Sequence, residues 1–589
     1  MSRMVTKTVA GLGKGVDDRV GASKVVKGLA RKLFPDHWSF LLGEVALYSF
    51  VILLLTGVFL SLFYVPSVDE TVYHGGYAPV DGQTVSQAFA STVRLSFDVR
   101  GGLLIRQVHH WAALVFVASI IVHLSRVFFT GAFRKPRELN WMIGSVLILL
   151  AMVEGFAGYS LPDDMLSGNG LRIASSIVLS IPVVGTYVSF LMFGGQFPGD
   201  DFIPRLYTVH VLLLPGLFLA LITVHLLLVF WHKHTQYPKP GRTNDNVVGY
   251  PLYPVYLAKA GGFFFIVFGI ITLLGALFTI NPVWAYGSYD PSPVSAGAQP
   301  DWYMGFLDGA VRLTPGFLEY TVWGHTLSLN IMIPGLILPG ILTTLLVAYP
   351  WLESWVTRDR REHHLLDRPR NMPARTGLGV MSLTFYFILL IAGGNDIIAT
   401  HLGLSINDIT NVLRVAIVVL PPLAYVVTKR IALGLQRKDR ERVLHGEETG
   451  RIYRTETGEY VEVHQPLDPQ QRWVLVQHET YRPIEAAPDT DAHGVRRRRI
   501  PLERLRRGLS RLYFGDRVEP VTPTELTAAG QDGHQHLGHL PQDRNDPHDS
   551  GTRAAVEPGG EAKAPNGSGD TGNTGNTENA GNAELSSGR

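Results

Sequence analysis

The residues best suited to chemistry in this chain are histidines embedded in apolar sequence. His109, His110 and His123 fall in one long apolar run, His210 and His225 in another. Imidazole is costly in hydrocarbon and marks a functional position there. His109 and His123 are 14 residues apart, which is about 21 Å along a helix and close to a whole number of turns, so both rings face one side. His210 and His225 are 15 apart, within roughly a sixth of a turn of a common face. With only one span between them, the two runs are expected to be parallel helices. His109 then lies level with His210 and His123 with His225, giving two imidazole pairs stacked across a bilayer. Two imidazoles on one iron leave no open position, which suits electron transfer rather than oxygen binding. His110 points about 100° away from His109, and packing or hydrogen bonding is expected of it.

A haem between helices also needs room and counter-charge. Gly43 and Gly57 lie in one neighbouring apolar segment and Gly144 and Gly158 in another, each pair 14 residues apart like His109 and His123. Without side chains these positions let a backbone approach a flat macrocycle. Arg106 and Arg126 stand three residues from His109 and His123. They are candidate partners for haem propionates, with snorkelling boundary residues as the alternative.

The elements that must carry these residues are membrane spans, each of about 20 mainly apolar residues. Eight segments qualify, roughly 40–63, 105–129, 141–161, 206–231, 262–280, 327–349, 376–393 and 409–428. The piece Ile173 to Phe193 is broken by Pro182 and Gly185 and reads as two short surface helices. Three loops carry Arg134, Lys135 and Arg137, then Lys233, Lys239 and Arg242, then Arg358, Arg360, Arg361, Arg368, Arg370 and Arg375. Cytoplasmic loops retain Lys and Arg, so both termini are expected in the cytoplasm, which requires an even number of spans. The opposite loops are poor in basic residues and hold acids such as Asp69, Asp163, Asp164, Asp201 and Asp301. The histidine pairs at 109/210 and 123/225 are therefore outer and inner, respectively.

Composition removes several functions. There is no Cys, so disulfides, Cys-ligated iron–sulfur clusters and thioether-linked haem within this chain are excluded. A net charge of +2 gives no sign of nucleic-acid binding. Val20, Val25, Val26, Leu29 and Leu33 beside Lys24, Lys27, Arg31 and Lys32 suggest a helix on the membrane surface, a disordered basic leader being the alternative. Residues 450–480 could form a small hairpin. The run Arg496 to Arg499 lies against anionic lipid or is simply solvated. From about Thr522 onward the chain has almost no large apolar residues and is expected to be disordered.

Several motifs are specific at this point. The segment RQVHHWAALVFVASIIVHLSRVFFTGAFRKPRELNW, the Gly158-Tyr-Ser-Leu-Pro162 stretch and Pro300-Asp301-Trp302-Tyr303 resemble cytochrome b of the cytochrome bc family from about Phe34 to Arg430. The histidine segment is closest to that family's photosynthetic and Gram-positive branch. The departures are Asp163 where Trp is usual and Asp301 where the family has Glu. The chain also carries all eight spans in one polypeptide, without the Cys-tethered extra haem of the photosynthetic members. Fusion, absence of Cys and the long tail look most like actinobacterial members.

The resemblance implies an all-α polytopic membrane protein. A four-helix bundle (36–235) would enclose two haems b, low-potential on His109/His210 and high-potential on His123/His225. Helices of a second domain (236–432) would follow, after an N-terminal segment (1–35) and before a cytoplasmic extension (433–520) and a low-complexity tail (521–589). It implies quinol–cytochrome c reductase activity in a bacterial plasma membrane. Menaquinol would be oxidised at an outer site using Asp301, Tyr303 and Tyr159 with Pro300 and Trp302, and a quinone would be reduced at an inner site. His232 and Lys259 are the inner candidates, although His232 and His234 sit further along than the family's usual His and Lys259 is followed by Ala260. The implied partners are a Rieske iron–sulfur subunit, a cytochrome c subunit (dihaem), a terminal oxidase, a second copy of the chain and the lipid bilayer. Glu154 reads as a proton relay or a buried structural acid, Asp301 as a base or a loop cap, and Glu44 as an interfacial acid. Two other classes compete. A dihaem anchor of a dehydrogenase would lack the later spans and the Pro-Asp-Trp-Tyr loop, and a histidine-relay transporter would show no haem absorption.

Overall fold

A backbone in hydrocarbon must satisfy its own hydrogen bonds, so long apolar runs fold as helices. The computed structural model describes residues 17, 19, 21–293, 299–475, 481–485, 501–519, 521–522 and 524–528. Among the described residues eight helices are long and apolar enough to span a membrane. They are α1 (Trp38–Ser61), α2 (Gly102–Phe129), α3 (Glu138–Ser160), α4 (Phe202–His232), α5 (Leu252–Leu277), α6 (Leu329–Thr357), α7 (Pro373–Gly393) and α8 (Ile406–His445). The chain is a multi-pass, predominantly helical membrane protein. Large apolar side chains such as Leu55, Leu212, Phe265 and Val418 stay exposed on the spans, as surfaces turned to lipid rather than water do.

Contacts between spans set their directions. Gly57 lies beside His109 and Gly43 beside His123, so α1 and α2 are antiparallel; Gly158 beside His210 and Gly144 beside His225 do the same for α3 and α4. The end holding the Arg- and Lys-rich loops is called the basic end below, and the other the acidic end. α2 and α4 both run from the acidic to the basic end. Between α3 and α4 stand two short helices, Met165–Leu179 and Gly185–Phe193, the pair expected from the break at Pro182.

The basic end is locked by a buried ion cluster. Arg375, fully buried at the start of α7, donates to Glu353 Oε1 of α6 at 2.6 Å and to Asp367 Oδ2 at 2.8 Å, and Arg134 reaches Asp367 at 3.0 Å. A buried guanidinium needs such full pairing. α8 continues well past its apolar stretch, and Asp439 in its polar end pairs with Arg368 and Arg370, each at 3.0 Å.

Beyond α8, Glu447–Arg454 and Tyr460–Gln465 form an antiparallel hairpin, turning at Gly458 with φ 91°. The segment after it does not continue as strand. Asp468 accepts from the amides of Gln470 and Gln471 at 2.7 and 2.8 Å and starts a helix at Pro469–Leu475, the Asp-Pro start signal outweighing the β-rich composition of Trp473 to Val476. Ala22–Ala30 is helical, with Val26 and Leu29 exposed. A further helix, Pro501–Phe514, was not expected from the sequence. The Arg496–Arg499 run and the tail beyond residue 528 lie outside the described residues.

Candidate functional site

At the acidic end of the bundle, the His109 and His210 rings face each other with centroids 6.3 Å apart, inclined at 74°. Two imidazole–metal bonds of about 2 Å each, with half a ring at either side, span a separation of that order. Each ring is held in one tautomer. Thr56 Oγ1 gives its hydrogen to the Ile52 carbonyl at 2.7 Å, so at 2.9 Å from His109 Nδ1 it must accept from that nitrogen. His210 Nδ1 lies 3.2 Å from the Glu154 carbonyl oxygen, which can only accept. Glu154 Oε1 is also 3.2 Å away. Both rings therefore carry hydrogen on Nδ1 and leave Nε2 free as a ligand.

The 15-residue spacing in α4 is resolved by a local π-turn, Val209–Leu213, with His210 inside it. One extra residue in the wider turn restores register. His210 and His225 thus face the α3 glycines just as His109 and His123 face those of α1.

At the basic end, His123 and His225 form the second pair, near enough to interact electrostatically. Nδ1 of His123 has no hydrogen-bond partner among the described residues, and Nδ1 of His225 faces the Asn140 backbone without reaching hydrogen-bond geometry. Between the tiers sit Phe50, Phe116 and Phe218, one from each of α1, α2 and α4, with centroids 5.5–5.8 Å apart. They fill the middle of the bundle.

The four glycines are close-approach positions. A Cβ at Gly158 would stand 2.5 Å from His210 Cε1, at Gly43 3.1 Å from His123 Cε1, at Gly57 3.3 Å from His109 Cε1 and at Gly144 3.6 Å from His225 Cε1. The two arginines differ. Arg106 is buried, donates through both terminal nitrogens to the Asn281 carbonyl at 3.2 Å, and keeps Nε unpartnered among the described residues. Arg126 lies over the Phe40 ring at 4.4 Å, with Nε and one terminal nitrogen buried and unpartnered among the described residues.

A cavity of about 280 Å³ joins the acidic-end tier to the loop between α5 and α6; Gly57, Arg106, His109, Glu154, His210 and Asp301 are among its walls. His110 Nε2 is 3.1 Å from both Asp301 oxygens, and Tyr303 donates to Asp301 Oδ2 at 3.1 Å. The 100° turn that takes His110 off the His109 face thus aims it at this loop, a partner that spacing within one helix cannot reveal. Tyr303 is buried, and burial together with the Asp301 carboxylate pushes its hydroxyl well above the usual range, so it acts as a donor. The loop is tethered in turn: Tyr159 donates to the Gln299 carbonyl at 3.3 Å, and the Gln299 amide to Asp396 at 2.7 and 2.8 Å. Pro300 and Trp302 are half-buried beside these groups.

The candidates at the basic end are not brought together. Lys259 pairs with Asp36 at 2.8 Å and covers the Tyr250 ring at 4.3 Å. His232 sits at the end of α4, its carbonyl accepting from Arg137 at 3.2 Å. Glu44 accepts from Tyr48 at 2.9 Å and from Tyr256. The His234 ring lies 4.3 Å from that of Phe34, tilted at 48°, and burial with Lys32 and Arg137 nearby lowers its imidazole to about 4.

An eight-span helical protein with two stacked tiers of facing histidines belongs, by class, with the membrane-bound b-type cytochromes. The family model described as "Cytochrome b(N-terminal)/b6/petB" matches residues 114–288. The chain is 57% identical over 525 residues to the cytochrome bc1 complex cytochrome b subunit of Streptomyces coelicolor, covering 88% of this chain and 95% of that one. It is 51% identical over 466 residues to the same subunit of Mycobacterium tuberculosis, covering 79% and 84%. A solved structure, "Hyperthermophilic respiratory Complex III", shares the fold with TM-score 0.53 at 20% identity, covering 72% of this chain and 99% of that one. The chain belongs to the cytochrome b subunits of cytochrome bc1 complexes, and it is a membrane-embedded oxidoreductase subunit of a respiratory chain. Haem b is the cofactor that this family implies.

Proposed function

We propose that the chain oxidises menaquinol at the Asp301 side of the acidic-end cavity, the side between His109 and His210 being left for haem, and returns one of each pair of electrons to a quinone at the basic end. The observation that carries this reading is the single cavity shared by the His109/His210 pair and the His110–Asp301–Tyr303 cluster. The residues fit two haems b, a low-potential one on His109 and His210 and a high-potential one on His123 and His225. The fit rests on Nε2 left free on both acidic-end rings, four glycines at close approach, and guanidinium nitrogens on Arg106 and Arg126 that are unpartnered among the described residues, for propionates. When bound, the haems supply a one-electron path from the quinol to the other side of the bilayer, the second electron leaving to a Rieske iron–sulfur partner and on to cytochrome c.

The chain's own groups handle protons. Losing two electrons, a quinol releases two protons. Asp301 is placed to take the first, with His110 and the Tyr303 hydroxyl sharing its carboxylate oxygens and holding it toward the cavity. Glu154, on His210, is placed to take the second. Pro300 and Trp302 shape the pocket, and Tyr159 fixes the loop through Gln299. Basic loops at one end support an orientation with that end and both termini in the cytoplasm of a bacterial plasma membrane. Proton release at the acidic end and uptake at the basic end then store energy, about 2.3 kcal/mol per charge for each 100 mV. At the basic end His232 and Lys259 are the family-implied quinone candidates and lie apart, while Glu44 with Tyr48 and Tyr256 forms a separate polar cluster. The family further implies a dihaem cytochrome c subunit, a homodimer and association with a terminal oxidase.

Asp301→Asn is expected to slow quinol oxidation about 10²-fold while both b-type haem signals remain in the redox difference spectrum. His123→Ala is expected to remove one of the two signals. Unchanged turnover in the first variant removes Asp301 from the mechanism, and two intact signals in the second remove His123 as a ligand.

A further inference from the structure

The helix Pro501–Phe514 plays no part in electron transfer as described, yet it is held firmly at a defined depth. One face is docked on protein: Ser510 and Phe514 are buried, Tyr513 donates to Glu353 Oε2 at 2.7 Å, and Arg506 donates to the Trp355 carbonyl. Glu353 and Trp355 lie in the last turn of α6. The helix therefore sits level with the ends of the spans, where headgroups meet acyl chains.

The face next to it is apolar and uncovered. Leu502, Leu505 and Leu512 are 57%, 56% and 57% exposed, and their spacing puts them on one stripe of the helix. The stripe adjoins α6, where Leu345, Trp351 and Leu352 are also exposed on a span that must face lipid. Beside the stripe, Arg504 and Arg511 are exposed and make no ion pair among the described residues. Arg358 and Arg360, at the exit of α6, are exposed and close enough to Arg506 to repel it. Glu503 is the one acid on the helix. Like charges gathered at interface depth call for an anion, and the leucines beside them call for an environment other than water. A bilayer surface with anionic headgroups supplies both.

We propose that the helix Pro501–Phe514 lies in the membrane surface at the basic end. There Arg504, Arg511, Arg358 and Arg360 bind the phosphates of anionic phospholipids while Leu502, Leu505 and Leu512 enter the acyl boundary. The site holds the segment after α8 to the bilayer as well as to α6.

Because the chain lacks Cys, a single spin label can be placed at Leu512→Cys in the full-length chain, reconstituted in nanodiscs of phosphatidylcholine with or without phosphatidylglycerol. The label is expected to collide with oxygen more than with an aqueous nickel chelate. Phosphatidylglycerol is expected to associate with the chain in preference to phosphatidylcholine, the preference falling about fivefold for each of Arg504→Gln, Arg511→Gln and Arg360→Gln. Lysine at the same positions should preserve it, which separates charge from misfolding. A label favouring the aqueous chelate shows a solvated face and overturns the proposal. A label shielded from both reagents shows a protein cover and overturns it too, as does an absent preference for phosphatidylglycerol.

Discussion

The two histidine tiers are built on the same four helices, yet they are finished differently. At the acidic end both imidazole rings are tied through Nδ1, His109 to Thr56 and His210 to Glu154, and the tier opens into a cavity shared with Asp301. At the basic end the Nδ1 atoms of His123 and His225 have no hydrogen-bond partner of good geometry among the described residues, that of His225 only facing the Asn140 backbone. The scaffold is enough to bring two imidazoles face to face. The added hydrogen bonds belong to the tier that shares a cavity with Asp301 and Glu154, where the proposed function would place ring orientation beside acid–base chemistry.

The sharpest way to break this comparison is to fill the glycine cradles. Gly158→Ala places a methyl 2.5 Å from His210 Cε1, so the ring or α3 must move. The expected result is loss of the acidic-end haem signal and of quinol oxidation, with the basic-end signal retained. Two undiminished signals would mean that the ring yields freely and that the cradle is not a constraint. The next effect is kinetic. His110→Ala leaves both ligand pairs intact but strips Asp301 of one of its two side-chain partners, and turnover with quinol is expected to fall about 10²-fold. A purely structural His110 would instead change haem content along with rate. Thr56→Val sharpens the difference between tiers, since its effect should be confined to one haem. Losing the acceptor for His109 Nδ1 is expected to weaken retention of the acidic-end haem about tenfold, read as selective loss of that signal on detergent dilution.

Much of this was legible in the sequence because helical geometry is local. The 14-residue repeats of His109/His123, Gly43/Gly57 and Gly144/Gly158 need only the pitch of a helix to be read, and all eight spans were recognisable from apolar length. The 15-residue spacing in α4 was tolerable on that reading, but the π-turn that corrects it was not visible, because its cause lies in how α4 packs. His110, classed with packing or hydrogen bonding, shows the same limit: its partner is 191 residues away. Thr56 had no signal beyond sitting next to Gly57. The helix Pro501–Phe514 was missed because its five charged residues among 14 hide an apolar stripe that only a helical projection brings out.

The smallest expected effect is also the most discriminating. A methyl at Gly144 would meet His225 Cε1 at 3.6 Å, an ordinary van der Waals contact. Gly144→Ala should therefore leave both haem signals and the rate of quinol oxidation near wild type, and the methyl's added helix propensity is worth about 1 kcal/mol in its favour. Gly43 and Gly57, at 3.1 and 3.3 Å, should fall between it and Gly158. If close approach to the ligand ring is what these positions do, damage follows those four distances whichever tier the glycine serves. If Gly144→Ala instead proves as harmful as Gly158→Ala, the glycines are answering to the macrocycle face rather than to the imidazole, and the graded order disappears. Measuring haem occupancy across the four alanine variants separates the two, because only the first account ranks them 158, 43, 57, 144.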